Sequence, residues 1–78
     1  MTKQWKLIRY EATARGVRAE YIHSFNSFEE GKARMAMFAN NKTIIDCNTN
    51  PNDCYLIAVT KFGTNFRYEL EQSLSNFA

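Results

Sequence analysis

Apolar and polar residues alternate along the first third of the chain, in two runs. Residues 5–12 (WKLIRYEA) and 17–25 (VRAEYIHSF) read as strands joined by a turn at Arg15-Gly16. A two-residue loop there pairs Tyr10 with Tyr21 and Ala12 with Ala19. This register gathers Ile8, Tyr10, Ala12, Val17, Ala19, Tyr21 and Phe25 on one face, which we assign to the core, because a one-residue slip scatters the set. A helix through YEATARGVRAEY competes with this assignment. Gly16 and the β-branched residues weigh against it.

The period then changes. In NSFEEGKARMAMFANN, Phe28, Gly31, Met35, Phe38 and Ala39 recur at helical spacing. Ser27 and Glu30 form a capping box, in which the hydroxyl meets a free backbone N–H and the carboxylate reaches back to the cap. Glu29 and Glu30 suit the positive end of the helix dipole, and Glu30 stands four residues before Arg34 in the favourable order. Asn40-Asn41 ends the helix, since Asn tolerates left-handed backbone. Gly31 inside the helix costs up to about 1 kcal/mol relative to Ala, which close approach of helix to sheet would explain.

Beyond the helix, KTIIDC, CYLIAVTKF and NFRYELE read as strands. Gly63-Thr64 suits a two-residue type II′ turn, which pairs Val59 with Tyr68 and places Tyr55, Ile57, Val59, Phe66, Tyr68 and Leu70 on one face. Leu70, Leu74 and Phe77 are spaced for a short terminal helix. The expected fold class is therefore α+β, a single domain over residues 1–78, in which a ββαβββ antiparallel sheet carries one main helix on one face.

Those assignments leave apolar residues over. Trp5, Leu7 and Ile22 point away from the assigned core on the first hairpin, and Leu56, Ala58 and Phe62 do so on the second. A sheet with one solvated face reads apolar in and polar out, so this surplus needs a cover. The terminal helix, a second copy of the chain and a partner protein all fit. Trp and Arg are enriched in binding hot spots, so the candidate binding residues are Trp5, Leu7, Arg9, Arg18 and Ile22.

With 78 residues, 45% hydrophobic and 14% aromatic, the chain has apolar mass enough to fold without metal or bridge, at a net stability of about 4–12 kcal/mol. No signal-peptide run and no stretch of membrane-spanning length occurs, so a cytoplasmic location is expected. Net charge is +2, unevenly spread. Lys3, Lys6, Arg9, Arg15 and Arg18 face Glu11 alone in residues 1–18, while five bases face seven acids in the rest. Basic residues beside Trp5, Tyr10 and Tyr21 suit a single-stranded nucleic acid, although Glu11 and Glu20 share a face with Arg9 and Arg18.

Chemistry is sparse. Cys47 and Cys54 bracket NTNPND, a run of turn formers; a reducing compartment disfavours their disulfide. Two thiols six residues apart, with His23 far upstream, do not make a zinc set. His23 has no neighbouring nucleophile signature, and three scattered glycines make no phosphate loop. No catalytic residue, metal or cofactor is expected, and no motif of a known family is present. Short single-domain chains rich in Asn and Phe are commonly encoded by phages and mobile elements. The function expected on that ground is a non-enzymatic interaction module that binds and blocks a host protein, an anti-CRISPR-like inhibitor being one concrete instance. The alternative is a small nucleic-acid-binding protein that uses the basic first hairpin. The molecule is expected as a monomer or homodimer, away from membranes.

Overall fold

The computed structural model describes residues 3–74. Their element order is β1 (Lys3–Thr13), β2 (Gly16–Phe25), α1 (Phe28–Met37), β3 (Lys42–Asn50), β4 (Asp53–Thr60) and β5 (Asn65–Leu74). The five strands form one antiparallel sheet in the order β2-β1-β5-β4-β3. The expected ββαβββ order is thus present, and the helix bridges the two outermost strands.

The helix forms for the reasons its sequence suggests. Ser27 sits in extended backbone at the N-cap, its Oγ accepting from the Glu30 N–H at 3.2 Å and donating to the Glu30 carboxylate at 3.3 Å. At the other end Asn41 adopts φ +70°, and Lys42 Nζ donates to the free Phe38 carbonyl at 2.7 Å. Gly31 and Met35 are buried, and Phe28, Phe38 and Ala39 pack around them. A Cβ at Gly31 would stand 2.6 Å from Leu70 Cδ1, so the glycine marks the close approach of helix to sheet.

On β1, β4 and most of β2 the helix covers the side opposite to the one expected, whereas Phe25 of β2 and Tyr68 and Leu70 of β5 enter the core as expected. Buried beneath it are Trp5, Leu7, Phe25, Cys54, Leu56, Ala58, Tyr68 and Leu70. The register of the second hairpin accounts for the exchange on β4. The β4–β5 connection is a three-residue loop, Lys61-Phe62-Gly63, closed by Gly63 N–H to Thr60 O and Thr60 N–H to Thr64 O, both 2.9 Å. Gly63 takes φ +88°, the left-handed third position that such a loop demands. Tyr68 therefore lies opposite Leu56 rather than Val59. An odd shift moves a strand's side chains to the other face, so Phe66, Tyr68 and Leu70 join Leu56 and Ala58, and part from Tyr55, Ile57 and Val59.

In the first hairpin the loop is Ala14-Arg15, one residue earlier than expected, and Tyr10 pairs with Ala19. That shift of two residues keeps Ile8, Tyr10, Ala12, Val17, Ala19 and Tyr21 on one face. A bulge at Ile22 then re-aims the strand. Beyond it Phe25 lies opposite Trp5 and enters the core, and Ile22 packs against the core's edge. The expected terminal helix is corrected in part: Leu70–Leu74 continues β5 as strand, and Phe77 lies outside the described residues.

Candidate functional site

The face turned away from the helix is the candidate site. Two rows of directly paired residues cross it. One runs Tyr21, Ile8, Glu69, Tyr55, Asn48, and the next Ala19, Tyr10, Arg67, Ile57, Asp46. Apolar and phenolic side chains thus flank a polar centre on β5, where Arg67 Nε donates to Glu69 Oε2 at 2.6 Å. The Arg67 guanidinium lies 4.5 Å from the centre of the Tyr55 ring, a cation–π contact. Between the first two strands and Ile57 runs a groove of about 300 Å³, walled by Tyr10, Ala12, Val17 and Arg67.

Among the described residues, Ile8, Tyr10, Tyr55 and Ile57 on this face are half-buried and Ala12, Val17, Ala19 and Tyr21 are exposed. Val17 is 71% exposed and Tyr21 57%. Tyr21 and Ser24 share a hydrogen bond at 2.7 Å, and Tyr55 Oη donates to Asp46 Oδ2 at 3.0 Å. That bond, with some burial, pushes the Tyr55 phenol up from its ordinary value. Burial raises Tyr10 as well, aided by the carboxylates of Glu69 and Glu71 and opposed by Arg67. Both phenols are therefore neutral donors at physiological pH, fitted to contact and hydrogen bonding rather than to charge.

The five candidate binding residues do not form an exposed patch. Leu7 is fully buried and Trp5 is 9% exposed, its ring 5.1 Å from that of Phe28, while Ile22 is half-buried against the core. The physical reason is that the helix took the side of the first hairpin that the sequence pattern left uncovered. Arg9 and Arg18 stand on the same side of the sheet as the helix. Arg9 bridges Glu20 and lies 5.1 Å over the Phe66 ring. Burial opposes its charge, but Glu20 and the nearby Tyr68 hydroxyl outweigh this and raise its pKa. That hydroxyl, itself buried, meets no partner in hydrogen-bonding geometry among the described residues. Arg18 bridges Glu11 at 3.3 Å. Two of the basic residues of the first hairpin are thus neutralised by carboxylates.

The two cysteines project on the helix side of β3 and β4, where Cys47 lies opposite Leu56 and Cys54 opposite Thr49. Both are free thiols, Cys47 exposed and Cys54 buried. The turn is tighter than the run of turn formers suggests, with only Pro51-Asn52 between paired residues. Asx contacts brace it, Asn48 Oδ1 accepting from Asn50 N–H and Asn50 Oδ1 from Asn52 N–H. Burial raises the Cys54 thiol above its ordinary pKa; Cys47 and Asp53 add to the rise and Lys32 opposes it. His23 is an exposed residue of β2, its ring edge-on to Phe25 at 5.2 Å, and strands β1 and β5 stand between it and the thiols. Among the described residues no three His, Cys, Asp or Glu side chains gather as metal ligands, and no helix is long and apolar enough to cross a membrane.

Fold and face together define a small α+β domain whose sheet, among the described residues, is covered by a helix on one side only. No protein-family model, curated protein or solved structure matches this chain.

Proposed function

We propose that the protein is a non-catalytic interaction module that binds a host protein through the open face of its sheet and blocks a functional surface there. One observation supports this reading. Among the described residues nothing lies over the apolar flanks formed by Ile8, Tyr10, Ala12, Val17 and Tyr21 on one side and Tyr55 and Ile57 on the other. Tyrosine-rich flat surfaces give large contact area at low cost in side-chain entropy. A phage or mobile-element accessory role, including inhibition of a defence complex, is the concrete form of this proposal, and the host cytoplasm is its setting.

The test is capture from native host lysate, with and without nuclease, using the protein beside Tyr10→Ala and Ile57→Ser variants of unchanged circular dichroism. The control is Phe62→Ser, at a loop residue 84% exposed. A stoichiometric protein partner that survives nuclease, is retained by the control and is lost by both face variants supports the reading. Equal capture by the face variants refutes it. Material that disappears with nuclease would instead indicate nucleic acid.

A further inference from the structure

β2 forms one edge of the sheet, and its stretch Gly16–Tyr21 is exposed at every residue. Alternate residues of an edge strand turn unpaired N–H and C=O groups outward, a ready template for another strand. Edges are commonly guarded by bulges, prolines or inward-pointing charge. Here the bulge falls at Ile22, beyond the run, and leaves Gly16–Tyr21 regular.

We propose that this run is the contact of a symmetric homodimer, in which β2 pairs antiparallel with β2 of a second copy about a two-fold axis through Ala19. The charge pattern singles out that partner. On the helix side Arg9 pairs with Glu20 and Glu11 with Arg18. An axis at Ala19 sets Arg18 opposite Glu20 of the second copy, and Glu20 opposite its Arg18. Each row across four strands then alternates in sign: Arg9, Glu20, Arg18, Glu11 and its two-fold mate. On the open side Ala19 meets its own copy, small enough for close approach. Val17 meets Tyr21, so the two most exposed apolar residues of the strand cover each other.

Neighbouring registers lack this complementarity. An axis through Arg18 sets that residue against itself, and an axis through Glu20 sets two carboxylates face to face; like charges directly opposed are destabilising. An axis between two residues joins the charged side of one copy to the apolar side of the other, because opposed residues in an antiparallel pair share a face. Registers displaced further run into the Ala14-Arg15 turn or the bulge. The Ala19 axis keeps both helices on one side of a ten-stranded sheet and makes their open faces continuous. This contact shares Val17 and Tyr21 with the open face, but its charge test is separable from host binding, since Arg18 and Glu20 point to the other side.

Sedimentation equilibrium of the full chain across 10 μM to 1 mM tests it, with Arg18→Glu and Glu20→Arg variants checked by circular dichroism. The protein should pass from monomer toward dimer over this range. Each variant alone opposes like charges twice in the dimer and should dimerise more weakly by on the order of tenfold or more. Mixed in equal amounts, the two variants restore opposite charges at both pairs, so a heterodimer of near-original affinity should return. A chain that stays monomeric at 1 mM, or folded variants that dimerise like the original, would overturn the proposal. So would a mixture of folded variants that fails to recover. Should either variant not fold, Val17→Lys at an exposed position replaces it, and undiminished dimerisation there overturns the proposal equally.

Discussion

Replacing Gly31 by Ala sets two opposed effects against each other, and the structure decides the sign. In a helix interior Ala is worth about 1 kcal/mol over Gly. Here the new methyl would lie 2.6 Å and 2.9 Å from the two Cδ atoms of Leu70 and 3.3 Å from its Cγ. Leu70 is itself 3% exposed and set among core side chains, so it has little room to turn aside. Overpacking of this kind costs about 1–3 kcal/mol, so the net loss is about 1 kcal/mol. For a chain of this size that lowers Tm by roughly 4–8 °C. A Leu70→Val background removes both clashing Cδ atoms, and there Gly31→Ala should become neutral or stabilising by up to about 1 kcal/mol. Urea melts of the four proteins in the cycle measure the coupling directly. A Gly31→Ala chain that melts higher than the original, or the same effect in both backgrounds, would refute the close-approach account.

Trp5→Ala should cost about 3–5 kcal/mol, a large share of the stability of so short a chain, and would be seen as loss of the cooperative melt; a stable, native-like variant would contradict its place under the helix. The two thiols should separate cleanly: Cys47 reacts at once with a thiol reagent and tolerates Ser, while Cys54 reacts only at the rate of opening. Because the folded-state pKa of Cys54 is raised, the stability linked to its neutral form is present below the ordinary thiol pKa and lost as pH rises through the folded value. Melting curves should therefore fall at alkaline pH, and less so in a Cys54→Ala variant.

How legible the molecule was differs by element. The helix announced itself through its cap, its acidic first turn and its stripe, and each of these is local. The strands were also legible one by one, and the set Ile8, Tyr10, Ala12, Val17, Ala19, Tyr21 does share a face. Which face met the helix was not legible. Lys61-Phe62-Gly63 forms a three-residue loop where the sequence is equally compatible with a two-residue turn at Gly63-Thr64, and one residue of loop length exchanges core for surface along β4. Nor could alternation arbitrate, because Leu56 and Ala58 are as apolar as Tyr55 and Ile57. That ambiguity and the candidate site have one cause: a sheet apolar on both sides does not declare which it will cover, and the uncovered one remains available for contact. Arg67, Glu69 and Glu71 were the usable signal. Three charges at alternate positions of a central strand mark its solvent side and agree with Phe66, Tyr68 and Leu70 lying inward, but they leave the register of β4 open.

The pairing of β1 with β5 carries a consequence for how the chain comes into being. Lys3 lies opposite Leu74, so strands from the two ends of the described chain meet in the middle of the sheet. During synthesis the first hairpin and the helix can take shape early, and the β3–β4 hairpin soon after. The seam that joins them must wait for β5 to clear the ribosome, because no earlier strand can stand in its place. Until then Trp5 and Leu7 have a helix above them but no completed floor beside them, and the edge of β1 is open to strangers. Contacts this distant along the chain form slowly, and half-built sheets of this kind are prone to aggregation. Loss of a few residues from β5 should therefore cost far more than their own contacts, since this strand turns two separate halves into one body.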